Sequence, residues 1–104
     1  SVVKNHLGVD IQTAANCTVL SAYQGVVLFA GYNPQEGYIV QIIHPNQYIS
    51  VYKGAEMVYK KSGDIVKTGE VIAAMGNDKP NCMLHFELWS GMQALNPSQY
   101  IVLE

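Results

Sequence analysis

The sequence predicts a mostly β domain, an antiparallel β-sandwich or open barrel with one short C-terminal turn or helix. Two observations carry this prediction: short runs of β-branched and aromatic residues recur along the chain, and Gly, Pro, Asn or Asp separates each run from the next. The length of 104 residues allows a single hydrophobic core. We therefore expect residues 1–104 to form one domain, excised from a longer chain because no Met begins it.

The predicted strands span residues 18–22, 25–32, 37–44, 47–53, 71–75 and 82–89. The third and fourth of these runs alternate their side chains on either side of Pro45-Asn46, which predicts a β-hairpin. The less periodic stretch after Gly54 is expected to hold one helical turn. Residues 96–98 (Asn-Pro-Ser) open the short C-terminal turn or helix, with Pro near its first position.

Composition excludes several classes of protein. The net charge is −2, and the six Lys residues are scattered, so no basic stripe is available to bind nucleic acid. No apolar run approaches the roughly 20 residues that a membrane-spanning helix needs, and no targeting segment is present. Cys17 and Cys82 are compatible with one disulfide or with two small buried apolar side chains.

Two short stretches carry candidate metal ligands. His6 and Asp10 lie near the start of the chain and His85 lies in the last long strand, which together make two imidazoles and a carboxylate, a zinc ligand set with one position open. Strand alternation places Met83 on the same face of the strand as His85. A catalytic zinc strand would carry a second functional side chain at this position, and Met83 provides only a thioether. Taken alone, His6 and Asp10 are equally typical of a loop pair that caps local backbone.

Five motifs in order resemble the lysostaphin-type (LytM-like) zinc endopeptidase domain: HLGVD, GVVLFAGY, SVYK, KKSGDIVKTGEVIAAMG, and LHFELW followed by LNPSQY. The resemblance covers essentially the whole chain. It implies an antiparallel β-sandwich with a duplicated hybrid motif. Active members of that family cut the peptide cross-bridges or stems of bacterial peptidoglycan, so the resemblance also implies a location in the bacterial envelope, periplasmic or extracellular.

Carried over residue by residue, the family's zinc ligands fall on His6, Asp10 and His85. The family's two catalytic histidines fall on Gly54 and Met83, and neither of these is His. The resemblance therefore implies a zinc site that lacks both catalytic histidines.

Four further side chains bear on this site. Glu87 is interpreted either as a carboxylate that orients the His85 imidazole or as a solvated strand residue. Lys53 is expected to point away from the side on which a side chain at position 54 would lie. Tyr32 and Tyr52 are candidates to line a groove for a peptide or glycan, with cross-strand aromatic packing as the alternative.

With both catalytic histidines missing, the resemblance implies a non-catalytic binding or regulatory module, whose partner is a peptidoglycan peptide or another cell-wall hydrolase. The alternative is an active zinc endopeptidase in which Lys53, Glu87 or a tyrosine acts as a substitute base. A third class, the biotinyl or lipoyl carrier domain, shares the phrase GDIVKTGEVI. It is disfavoured because Ala74-Met75-Gly76 lacks the lysine that such a domain modifies.

Overall fold

A computed structural model describes residues 8–77, 82–91 and 93–95 of the chain. In these ranges it contains strands and one 3₁₀ turn, Pro45–Gln47, and no α-helix, which confirms the mostly β prediction. The strands are β1 (Val9–Thr13), β2 (Thr18–Leu20), β3 (Gly25–Asn33), β4 (Gly37–Ile43), β5 (Tyr48–Ala55), β6 (Met57–Val58), β7 (Ile65–Val66), β8 (Val71–Ala74), β9 (Cys82–Ser90) and β10 (Gln93–Leu95).

The strands form two antiparallel sheets. The larger has seven strands in the order β1-β9-β5-β4-β3-β7, with β10 pairing the remaining part of β9. The smaller has three strands in the order β2-β8-β6. Strand β9 pairs with β5 on one side and with β1 and β10 on the other. Strand β9 is therefore hydrogen-bonded along both edges, which fixes the positions of its side chains on the sheet.

The hydrophobic core lies between the inner faces of the two sheets. The large sheet contributes Val27, Val40 and Ile42, and the small sheet contributes Ile72 and Ala73, all of which are almost completely buried. Val27 and Ile42 are flanked along their strands by more exposed residues, as expected when one face of a strand is buried, whereas Ile72 and Ala73 are adjacent and both buried. Neither sheet could bury its apolar face alone, so the two sheets form one structural unit.

A chain of buried polar groups crosses one end of this core. The His44 Nδ1 donates to the carbonyl oxygen of Gln24 at 2.8 Å, and the His44 Nε2 hydrogen-bonds the Ser50 Oγ at 2.6 Å. The Ser50 Oγ hydrogen-bonds the Tyr52 Oη at 2.8 Å, and the backbone N–H of Ala22 donates to the same Oη at 2.9 Å. His44 is therefore a structural residue, buried and held on both ring nitrogens.

The predicted hairpin is confirmed, because β4 and β5 pair in antiparallel fashion around the Pro45–Gln47 turn. The helical turn expected after Gly54 is wrong: strand β6 occupies this stretch and pairs with β8 of the small sheet. Strands β1, β7 and β10 were not predicted. The expected C-terminal turn or helix at residues 96–98 lies outside the described residues. Cys17 and Cys82 are both thiols, and the Cys82 Sγ donates to the Gly76 carbonyl oxygen.

Candidate metal centre

Two of the three predicted metal ligands meet on the outer face of the large sheet. The antiparallel register of β1 and β9 places Asp10 directly opposite His85. The Asp10 Oδ1 lies 2.8 Å from the His85 Nδ1, and both side chains are largely but not fully buried. The third predicted ligand, His6, lies outside the described residues.

A second carboxylate holds the other nitrogen of the same imidazole. His85, Glu87 and Trp89 lie two apart on β9 and share one face of the strand. The Glu87 Oε2 lies 2.8 Å from the His85 Nε2, while the Trp89 Nε1 donates to the Glu87 Oε1 at 2.9 Å. Burial alone would raise the pKa of Glu87, but the hydrogen bonds from Trp89, His85 and Lys53 outweigh it and lower the pKa. Glu87 is therefore a buried, ionised carboxylate.

Lys53 completes this line of charges. Its Nζ lies 3.2 Å from the Glu87 Oε2 and 3.3 Å from the Glu36 Oε1. Burial alone would lower the pKa of Lys53, but the hydrogen bonds and charges of Glu87 and Glu36 outweigh it and raise the pKa. The amine is therefore an ammonium ion near neutral pH, with no lone pair to accept a proton.

The expectation that Lys53 points away from the side of position 54 relies on regular strand alternation, which breaks at Gly54. Lys53 pairs with Ile39, whereas Tyr38 pairs with Ala55, so Gly54 is an extra residue in β5. In the same part of β5, Lys53 pairs with His85 of β9 and lies on the outer face with it. A Gly within a strand pattern is the sequence signal that could have indicated this bulge.

Gly54 and Met83, on which the resemblance places the family's catalytic histidines, lie against each other. Gly54 has a φ of +103°, and a Cβ built on it would lie 2.8 Å from the carbonyl oxygen of Met83. Contacts of that length with backbone oxygen are prohibitive, and the positive φ disfavours any other residue. The Met83 side chain is 43% exposed and projects from the sheet. In this backbone, position 54 has no room for a side chain.

Asp10 and His85 supply donor types that zinc binds, a carboxylate oxygen and an imidazole nitrogen. A neutral imidazole has one N–H, so with carboxylate oxygens 2.8 Å from both ring nitrogens, a second proton or a cation must lie on one side. If the His85 Nε2 donates to Glu87, the Nδ1 lone pair faces Asp10, as in carboxylate–histidine–zinc arrangements. Zinc bonds of ~2.0–2.1 Å in a tetrahedron separate neighbouring ligand atoms by roughly 3.3 Å. The Asp10 Oδ1 and the His85 Nδ1, now 2.8 Å apart, would therefore have to separate only slightly to bind the ion. Among the described residues, no group of three His, Cys, Asp or Glu side chains could hold a metal, and the third donor would be His6.

Of the two tyrosines proposed for a groove, only one is placed to line a cleft. Tyr32 is 63% exposed and lines a polar cleft together with Glu36 and Gly54. Tyr52 is 2% exposed and its ring packs edge-on against Phe86 in the core, at a centroid distance of 5.2 Å. The groove prediction for Tyr52 is therefore wrong, because its position on β5 faces the small sheet.

Sequence reasoning did not identify Trp89 as part of this network. The spacing of His85, Glu87 and Trp89 at positions i, i+2 and i+4 of one strand was the available signal. The participation of Glu36 had no such signal. It reaches Lys53 from the turn between β3 and β4, 17 residues earlier in the chain, and only the pairing of β4 with β5 brings the two together.

Comparison with known proteins identifies the family. The model of peptidase family M23 matches residues 4–97, and the chain therefore belongs to this family. The match extends over nearly the whole chain, which confirms the lysostaphin-type resemblance.

Curated relatives are bacterial proteins longer than this chain. It is 31% identical over 97 residues to the uncharacterized lipoprotein YgeR of Escherichia coli, covering 90% of this chain and 38% of that protein. It is 30% identical over 97 residues to the murein hydrolase activator NlpD of Escherichia coli, covering 90% of this chain and 25% of NlpD. The chain thus spans well under half the length of these relatives.

Solved structures share the fold. Csd3 of Helicobacter pylori superposes with a TM-score of 0.82 at 32% identity, covering 92% of this chain and 26% of Csd3. A zinc-containing peptidase from Vibrio cholerae gives a TM-score of 0.74 at 27% identity, covering 85% and 28%. Lysostaphin from Staphylococcus simulans gives 0.82 at 23% identity, covering 97% and 45%, and this likeness concerns the fold alone.

Proposed function

We propose that this chain is a non-catalytic binding or regulatory module of the bacterial envelope, built on an M23 peptidase fold that keeps a zinc-ligand set of His6, Asp10 and His85. Its partner is a peptidoglycan peptide or a cell-wall hydrolase. Zinc, when bound, would act as a Lewis acid that polarises a carbonyl group or a water molecule. The function of NlpD as a murein hydrolase activator, and the lipoprotein nature of YgeR, support this assignment.

The backbone at Gly54 is the observation that carries the proposal. Amide hydrolysis at zinc needs a group that moves protons and stabilises the oxyanion, and the proton transfer alone contributes ~10²–10⁴-fold. Position 54 provides no side chain and has no space for one. Position 83 provides a thioether, which is neither an acid nor a base at neutral pH.

The alternative, an active zinc endopeptidase with a substitute base, finds little support at the two nearest ionisable groups. Lys53 is ion-paired with two carboxylates, which keep its ammonium form. Glu87 already accepts hydrogen bonds from Trp89 and Lys53 and lies against His85. A carboxylate whose pKa is lowered in this way is a weak base.

Zinc content tests whether the ligand set is intact. We expect chelator-treated protein to rebind one equivalent of zinc, and His85→Ala to lose it, because one of the proposed ligands is removed. Met83→Ala is the matched control, since it changes the same face of β9 without removing a ligand. Failure of the unmutated chain to retain zinc would refute the retained metal site.

Incubation with purified peptidoglycan tests the absence of catalysis. We expect the zinc-loaded chain to co-sediment with intact sacculi, or with a cell-wall hydrolase whose activity it raises, and to release no soluble fragments itself. Fragment release that disappears with a chelator and in His85→Ala would overturn the proposal and establish the active alternative.

A further inference from the structure

The ion pair between Lys53 and Glu36 lies between two clefts, one on the outer face of the large sheet and one beside the turn between β3 and β4. One cleft, of about 330 Å³, is lined by Val51, Lys53, Glu87 and Trp89. The other, of about 470 Å³, is lined by Glu36, Gly54 and both members of an edge-on tyrosine pair, Tyr32 and Tyr38. Lys53 lines the first cleft and Glu36 the second, and 3.3 Å separates their charged atoms. The pair therefore connects the linings of the two clefts.

The two carboxylate partners of Lys53 differ in how firmly they are held. The Glu87 side chain is 9% exposed, and its second oxygen accepts a hydrogen bond from Trp89. The Glu36 side chain is 43% exposed and extends from the turn between β3 and β4. Moving Glu87 away would leave a buried charge without compensation, which is costly. Moving Glu36 away would return a carboxylate to water, and exposed ion pairs of this kind contribute little.

We propose that Lys53 binds the carboxylate of a short peptide ligand, and that Glu36 occupies this position until the ligand displaces it. The ammonium group keeps its pair with Glu87 and exchanges one carboxylate for another, so no charge is left uncompensated in either state. Displacement of Glu36 frees the Lys53 ammonium group and opens the first cleft toward the second, which Gly54 also lines. This inference rests on the proposed function for the source of the ligand, a cell-wall peptide.

The test compares N-acetyl-D-alanyl-D-alanine with its C-terminal carboxamide, because the two probes differ only in the carboxylate. Binding is followed by amide and indole chemical shifts of the isotope-labelled chain. We expect the acid to bind several-fold more tightly than the amide, with the largest shifts at Lys53, Gly54 and the Trp89 indole. Equal affinities, or no shifts with the acid at the highest soluble concentration, would overturn the inference.

Substitutions test the roles of Glu36 and Lys53 separately. Glu36→Gln removes the internal competitor, so the affinity for the acid should rise by about threefold, the scale of an exposed ion pair, while the affinity for the amide stays constant. Lys53→Met should abolish the preference for the acid. Lys61→Met is the matched control. Lys61 is also paired with a carboxylate, that of Asp64, but its side chain is 85% exposed and it lies in the turn before β7.

The outcome with Glu36→Gln keeps the test decisive if Lys53→Met does not fold. An unchanged affinity for the acid in Glu36→Gln would show that Glu36 does not compete, and would refute the exchange. Co-sedimentation of the same proteins with sacculi separates this inference from the proposed function. Retained co-sedimentation without acid preference would refute only the role of Lys53, whereas loss of both wall binding and hydrolase stimulation would refute the proposed function as well.

Discussion

At the scale of single residues, Tyr52 shows how one hydroxyl connects the sheet to the loop beside it. Its ring packs in the core against Phe86, while its Oη accepts from the Ala22 backbone N–H and hydrogen-bonds Ser50. Burial raises the pKa of Tyr52 above the ordinary value of 10.0, and the hydrogen bonds offset only part of this effect. A buried hydroxyl with partners stabilises the fold, and the same group without them would destabilise it.

We expect Tyr52→Phe to lower the free energy of unfolding by about 1–2 kcal/mol at neutral pH, because Ala22 and Ser50 lose a buried partner. Urea unfolding measures this change. Tyr59→Phe is the control, since that side chain is 52% exposed, and it should change stability little. An equal loss in both variants would contradict the role assigned to the buried hydroxyl.

The raised pKa of Tyr52 also predicts that the free energy of unfolding depends on pH. Because the folded pKa of Tyr52 is raised, its contribution to stability is complete below pH 10.0 and is lost as the pH rises through the folded pKa. Unfolding free energy should therefore fall above pH 10 in the unmutated chain and fall less in Tyr52→Phe. Absorbance of tyrosinate should show one late-ionising group that is missing in the variant. Identical alkaline profiles would refute the assignment.

At the scale of elements, the site depends on strand register and on the bulge in β5. Lys53 lies on the outer face beside His85 by regular alternation with the buried Tyr52, and the additional residue, Gly54, brings the backbone of β5 against Met83. Strand β1 contributes Asp10 through its register with β9. The site is therefore a product of three adjacent strands, and a shift of one residue in either pairing would move its side chains to the core face.

We expect Gly54→Ala to destabilise the chain by about 3 kcal/mol or more, because it adds a clash with the Met83 carbonyl oxygen to the strain of a positive φ. Gly63→Ala is the matched control: its φ is +94° but a Cβ there would contact nothing within 4 Å, so a cost of about 1 kcal/mol is expected. Equal losses in chemical denaturation would show that the clash is relieved.

Histidine substitutions at positions 83 and 54 should differ in their cost to stability. Met83→His should be tolerated within about 1 kcal/mol, since that side chain is 43% exposed. Gly54→His should lower stability at least as much as Gly54→Ala and should not restore hydrolysis. Peptidoglycan hydrolysis by a stable double variant would contradict the conclusion that the backbone excludes a side chain at position 54.

At the scale of the whole molecule, the two sheets share one core. Ile42 of the large sheet and Ile72 of the small sheet are both completely buried in the same cluster. Loss of packing in either sheet should therefore weaken the other. The shared core therefore holds the described strands together. Separately, no helix in the described part of the chain is long and apolar enough to span a membrane.

We expect Ile72→Ala and Ile42→Ala each to cost about 2–5 kcal/mol, the range for truncating a buried aliphatic side chain, and each to leave a single cooperative transition. Ile65→Ala is the control, because Ile65 is 78% exposed on the edge strand β7, and it should change stability by no more than about 0.5 kcal/mol. Two separate transitions in either core variant would show that the sheets unfold independently.

Local patterns predict the mostly β class and the β4–β5 hairpin, and the order of the motifs along the whole chain predicts the family. The same residues predict the candidate ligand set, of which Asp10 and His85 lie together on the sheet. The places of Gly54, Tyr52 and Glu36 follow only from the folded chain, since they depend on a bulge, on which face of β5 is buried and on a contact across 17 residues. Such features arise from strand register and packing between distant segments, which local patterns do not encode.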